Sequence, residues 1–186
     1  MRKDEIIYSA GRGWYSTLEQ KFELDKKPIM KITELISRDF PLLEFSCWGT
    51  EQLKPFFHHL PTQFVTFISS EKDYLESLRE SLENHNYNVF INPLKSEAEK
   101  FVYIKDQTAI LRPSITKGEP KDGYFAKIEK IVVDLYMEIK KVNLMDREEF
   151  KRITSNIFNN FRINVADMLE YAERRGIKDT IASFVH

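Results

Sequence analysis

The chain has 186 residues, 42% of them hydrophobic and 13% aromatic, enough apolar material for a sizeable core, which excludes a disordered chain. Its 28 Lys+Arg stand against 29 Asp+Glu, a formal net charge of -1, which excludes a wholly basic nucleic-acid coat and a polyacidic tail. One cysteine, Cys47, rules out a disulfide framework or a cysteine-based zinc site within one chain.

Length points to one domain, with room for a small appendage. No apolar run approaches the roughly 18 residues of a spanning helix, and Met1 to Ser16 lacks the apolar centre of a signal peptide. The expectation is a cytoplasmic globular protein. Charge is mildly partitioned: Met1 to Lys31 is slightly basic, Ile32 to Leu111 acidic, and Arg112 to His186 near neutral.

The first element read along the chain is a β-hairpin. Ile6, Ile7, Tyr8 and then Trp14, Tyr15 favour strands, and Ala10-Gly11-Arg12-Gly13 between them is a turn signal. Pro28 suits a first helical position, and Ile29, Ile32, Leu35 and Ile36 form a stripe that ends before Pro41. Glu44 to Trp48 reads as a strand. Pro55 is expected to start a short helix carrying Phe56, Phe57 and Leu60, stopped by Pro61. Gln63 to Ser69 is a strand by composition.

Ser70 with Asp73 three residues on resembles a capping box ahead of a helix with Leu75, Leu78 and Leu82 on one face. Tyr87 to Asn92 reads as a strand, and Phe101 to Ile104 with Thr108 to Arg112 as a hairpin. Three helices follow. The first keeps Ile128, Ile131, Val132, Leu135, Ile139 and Val142 on one face, which places Glu129, Lys130 and Asp134 on its outer face. The second carries Phe150, Ile153, Ile157 and Phe161. The third has Asn164 as N-cap, an inner face of Val165, Met168, Leu169 and Ala172, and Gly176 just past its end. The fold class expected is α/β: a mixed central sheet of about five strands with flanking helices and a C-terminal three-helix unit.

Few motifs carry chemistry. There is no Walker loop and no dinucleotide fingerprint, and Gly11-Arg12-Gly13 is too short for either. His58 and His59 are adjacent, so on a helix they diverge by about 100°; His85 and His186 are isolated, and no metal or cofactor is expected. Cys47 lies in an apolar strand, the setting of a buried, inert thiol. The sharpest catalytic alternative is a divalent-metal-dependent nuclease built on Glu71 and Lys72 with Glu44 as an upstream acid. Its spacing is adjacent where such sites use Glu-x-Lys, and first-turn surface residues are the blander account. Arg2, Lys3 and Arg12 flank the glycine turn as candidate nucleic-acid contacts, limited to phosphates. Tyr171, Arg174 and Arg175 are a candidate interaction patch, with a packed polar cluster between helices as the structural alternative.

Several strings together resemble a known family. Ala10-Gly11-Arg12-Gly13-Trp14-Tyr15-Ser16 resembles the end of the wing in bacterial winged-helix regulators. Asp39 to Trp48, Phe57-His58-His59-Leu60-Pro61 and Arg112-Pro113-Ser114-Ile115 follow in order. The most specific are Ile128-Glu129-Lys130-Ile131-Val132-Val133-Asp134 and Tyr171-Ala172-Glu173-Arg174-Arg175. The series is similar to the antitoxins of the abortive-infection AbiE systems and covers nearly the whole chain. The resemblance implies a non-catalytic regulatory protein of a phage-defence toxin-antitoxin system, acting against a nucleotidyltransferase-like toxin. It also implies residues 1–16 as the remnant of a wing and residues 17–186 as the antitoxin-like C-terminal domain. In that family a winged helix binds promoter DNA. About fifteen residues before Ser16 are too few for its helices, so the expected DNA binding is weak, salt-sensitive and non-specific.

Overall fold

The computed structural model describes residues 6–94, 96, 105–115, 118–142 and 144–185. Side-chain alternation along three strands sets the layers. In β3 (Phe45–Gly49), β4 (Val65–Ser70) and β6 (Thr108–Pro113), the side chains of Phe45, Cys47, Ile68, Ala109 and Leu111 join one core. That core is completed by Ile29, Ile32 and Ile36 of α1 (Lys27–Asp39) and Leu75, Leu78 and Leu82 of α2 (Leu75–Asn84). Trp48, Phe67 and Ile110 enter a second core on the opposite face, formed with α3 (Ile128–Val142), α4 (Arg147–Asn160) and α5 (Val165–Arg174). A mixed sheet thus lies between two helical layers.

The sheet has six strands in the order β5-β6-β4-β3-β8-β7, with β5 at Asn88–Ile91, β7 at Lys121–Asp122 and β8 at Phe125–Ala126. β3 and β4 are antiparallel, Phe45 opposite Ser70. β4, β6 and β5 are parallel, and β8 runs parallel to β3. Buried on both faces, the central strands read as apolar runs. Four of the six strands, β3 to β6, are ones the sequence predicts, and the other two are the short β7–β8 pair, whose two-residue strands are too brief for alternation to register. The expected strand at Phe101 to Ile104 lies outside the described residues. β6 itself is flanked in the sheet by two parallel strands, β5 and β4.

Two local expectations are corrected. The helix near Pro55 is a 3₁₀ segment, Thr50–Phe56, that begins five residues earlier. Gly49 N–H donates to Gln52 Oε1 (2.9 Å) and Val65 N–H to Thr50 Oγ1 (2.9 Å), so polar side chains, not the proline, start it. Ser70 caps no helix. It ends β4, its hydroxyl reaches Glu44 O at 3.4 Å, and a 3₁₀ turn at Lys72–Tyr74 intervenes before α2.

The C-terminal unit follows its signals closely. Asn164 Oδ1 accepts from Asp167 N–H (3.2 Å) to cap α5, and Gly176 takes φ +71° just past its end. A short fourth helix, α6 (Lys178–Ala182), completes the unit. The N-terminal hairpin pairs β1 (Tyr8–Ser9) with β2 (Tyr15–Ser16). It docks on this unit: Ala10 is buried in the second core, and Val165 N–H donates to Ala10 O (2.8 Å). Gly11 sits at φ +106°, and a Cβ there would lie 2.2 Å from Asn164 Oδ1, so both backbone and space demand glycine. Cys47 is fully buried, and burial pushes its thiol up to about 12, with a Thr33 hydrogen bond opposing. No helix of the described residues is long and apolar enough to cross a membrane.

Candidate functional site

One row of the sheet is polar. Register places Ser46 beside Ser69 and Ser69 beside Arg112, and Asn92, one residue past the Ile91–Leu111 pair, comes level with Arg112. This row sits at the carboxyl ends of the parallel strands, where open α/β sheets place their ligands. It faces the second core's helices, on the same side as Trp48, Phe67 and Ile110.

Helix α3 answers with a polar stripe. Lys130, Asp134, Glu138 and Lys141 recur at i, i+4, i+8 and i+11, one helical face. The expectation that Glu129, Lys130 and Asp134 lie on the outer face is corrected: all three are buried, Lys130 with no exposed surface. The helix is buried on every side along Ile128–Tyr136, so this part of its charged stripe has no solvent to face. It turns to the polar row of the sheet and to α5.

Two ion-pair groups result. In the first, Lys130 Nζ lies 2.6 Å from Asp134 Oδ2, 3.2 Å from Glu119 Oε2 and 3.1 Å from Tyr171 Oη. Tyr171 Oη donates to Asp134 Oδ1 (2.9 Å), and Ser46 Oγ donates to Glu119 Oε2 (2.9 Å). Burial opposes the Lys130 charge, but Asp134, Tyr171 and Glu119 outweigh it and hold the ammonium above the ordinary lysine value. Burial, then the Asp134 carboxylate, raise the Tyr171 phenol. At neutral pH a charged lysine and a neutral tyrosine clasp the Asp134 carboxylate, and the same lysine also pairs with Glu119.

In the second, Arg112 grips Glu138 with two parallel bonds, Nε to Oε1 (2.9 Å) and Nη2 to Oε2 (2.5 Å). Its Nη1 donates to Asn92 Oδ1 (3.0 Å) and Pro93 O (3.1 Å). Both side chains are over nine-tenths buried. Lys141, half-buried at the end of the stripe, is pulled below the ordinary lysine value by desolvation, with Glu138 opposing and Arg112 and Arg175 adding to the fall. Between the groups lies a cavity of about 40 Å³ lined by Ser69, Arg112, Asp134, Glu138, Lys141 and Arg175. A wider groove of about 800 Å³ runs between the hairpin and β7–β8. Cations and carboxylates balance along it; Lys26 pairs with Asp122 (2.8 Å), and Glu129 Oε1 accepts from Asn164 N–H (2.7 Å).

The residues singled out by sequence disperse. Tyr171 is fully buried and Arg175 nine-tenths buried, so of the candidate patch only Arg174 reaches the surface, where it donates to Gly118 O (3.0 Å). Tyr171 and Arg175 pack between the helices beside Asp134, and Arg174 does not join them. Arg12 is exposed on the hairpin turn, while Arg2 and Lys3 lie outside the described residues. Glu44 and Glu71 come to the same end of the β3–β4 pair, both exposed with Lys72, and the Glu44 carboxylate is engaged by Lys121 Nζ (2.6 Å). The backbone N–H groups of His58 and His59 donate to Glu149 Oε1 (2.6 and 3.3 Å). Among the described residues no cluster of His, Cys, Asp and Glu could hold a metal ion. Arg112, Glu119, Glu138 and Lys141 were missed by sequence reading. The signal for two of them, Glu138 and Lys141, was the polar stripe at helical spacing, continued past Asp134.

Fold and site together define a mixed α/β protein whose sheet and C-terminal helices are joined by a buried seam of charge. The chain belongs to DUF6577, a family of unknown function whose model matches residues 1–186. It is also 29% identical over 116 residues, 61% of its length, to an uncharacterized protein of Acanthamoeba polyphaga mimivirus. That match covers 24% of the viral protein, so the chain spans about a quarter of that relative.

Proposed function

We propose that this chain is a non-catalytic, cytoplasmic regulatory protein of the antitoxin type, countering a nucleotidyltransferase-like toxin. The observation supporting this reading is that the two most specific strings of the AbiE resemblance meet in space. Lys130 and Asp134 of the first are joined to Tyr171 of the second by hydrogen bonds of 3.1 and 2.9 Å. Strings 41 residues apart along the chain therefore build one cluster, as a shared structural core requires. The charged groups of that cluster are occupied with one another, which suits a scaffold better than an acid-base pair awaiting substrate. On this reading the hairpin, with Arg12 exposed and Arg2 and Lys3 before it, gives DNA only phosphate contacts, each lowering the log-log salt slope by about 0.9.

The test is bacterial growth under an inducible nucleotidyltransferase-like toxin encoded beside this chain's gene. Co-expression of the chain is expected to restore growth. Failure by a soluble, folded chain, together with metal-dependent DNA cleavage lost in Glu71→Ala or Lys72→Ala, would replace this reading with the nuclease.

A further inference from the structure

Arg175 is the least satisfied cation of the interior. Its side chain is nine-tenths buried, yet its nearest carboxylate oxygen, Asp134 Oδ1, is 3.7 Å away, and that carboxylate already serves Lys130 and Tyr171. The Tyr171 ring centroid is 5.8 Å from the guanidinium. Among the described residues its guanidinium N–H donors meet no hydrogen-bond acceptor. A buried guanidinium carries five such donors, and native interiors rarely leave them unmet.

Two more groups on the same cavity share the condition. Ser69 is 7% exposed, and its hydroxyl makes no hydrogen bond among the described residues. Lys141 forms no ion pair among them either. Three cations line the cavity, Arg112, Lys141 and Arg175, against two carboxylates, Asp134 and Glu138, leaving an excess of one positive charge.

We propose that this cavity binds a phosphate group, free or as the terminal group of a nucleotide, with Arg175 and Lys141 as charged donors and the Ser69 hydroxyl as a neutral one. The donors arrive from three elements: the end of β4, the end of α3 and the residue after α5. Such a non-planar set matches the tetrahedral oxygens of phosphate better than the two coplanar oxygens of a carboxylate. Arg112, held by Glu138, Asn92 and Pro93, supplies field more than hydrogen bonds. The cavity exceeds the roughly 10–15 Å³ that one water requires but is too small for a base, so a nucleotide would enter phosphate first. This inference rests on the cavity alone, and a failed growth rescue does not bear on it.

The experiment is an NMR titration of the full chain at constant ionic strength with inorganic phosphate, a 5′-phosphorylated trinucleotide and its 5′-hydroxyl counterpart. Saturable shifts at the Arg175 guanidinium and the Ser69 amide are expected, with affinity at least about ten-fold weaker in Arg175→Gln and in Lys141→Gln, the loss of one charge-assisted bond. Lys141 is partly exposed, so its variant keeps the test decisive if Arg175→Gln misfolds. Tighter binding of the phosphorylated trinucleotide than of free phosphate, with none by the 5′-hydroxyl form, supports the site and names a nucleotide as source. Equal binding supports it with free phosphate. No saturable binding, or binding unchanged in Lys141→Gln, overturns the proposal.

Discussion

Replacing Lys130 with alanine is expected to destabilise the protein by about 3–5 kcal/mol, the loss seen when one partner is removed from a buried ion pair. The ammonium has no exposed surface and is the cation shared by Asp134 and Glu119. Without it, two carboxylates stay in the interior with Tyr171, Ser46 and a distant Arg175 to hold them. On an exposed helix face the same i,i+4 pair would be worth a few tenths of a kcal/mol, so the size of the effect separates the two placements. Urea unfolding followed by circular dichroism at neutral pH measures it. The pH dependence has a definite sign. The folded state holds Lys130 and Tyr171 above their ordinary values, so it retains protons that the unfolded chain releases near pH 10. Their contribution to stability is complete below about pH 10 and is lost as pH rises further, and the alanine variant loses less over that range.

The second large effect falls on the other pair. Glu138→Ala leaves the buried Arg112 guanidinium with only the neutral acceptors Asn92 and Pro93, beside Lys141 and Arg175. A loss of about 3–5 kcal/mol is expected from an uncompensated buried charge. The double variant Arg112→Met with Glu138→Leu removes both charges and fills the space with apolar atoms, and is expected to recover most of that loss. Thermal unfolding of the three proteins compares them. A double variant no more stable than Glu138→Ala would mean that the pair contributes through its own attraction and not through the penalty of breaking it.

Much of this fold was legible because it rests on local periodicity. The stripes Ile29–Ile36, Leu75–Leu82 and Phe150–Ile157 each became a helix face buried in a core. Asn164 and Gly176 mark the ends of α5 by cap chemistry that any chain would use. The seam was less legible because it depends on what encloses a helix. A charged stripe on an otherwise apolar helix reads as its wet side unless a second layer covers it. Here the sheet and α5 both do, and the pattern at 130, 134, 138 and 141 belongs to an interior surface. Arg112, although read as the end of a strand, and Glu119 could not be placed in the seam. Arg112 meets Glu138 across 26 residues, and Glu119 precedes a strand of two residues, so neither leaves a local mark.

The central claim is that α3 and α5 are coupled through buried charge. It is tested most directly by a double-mutant cycle on Lys130 and Tyr171, the contact that bridges the two helices at 3.1 Å. Lys130→Met, Tyr171→Phe and the double variant are compared with the parent by urea unfolding. The account predicts that the two losses fail to add by about 1 kcal/mol or more, as residues sharing one network do. Additivity within about 0.3–0.5 kcal/mol, the behaviour of independent sites, would contradict it.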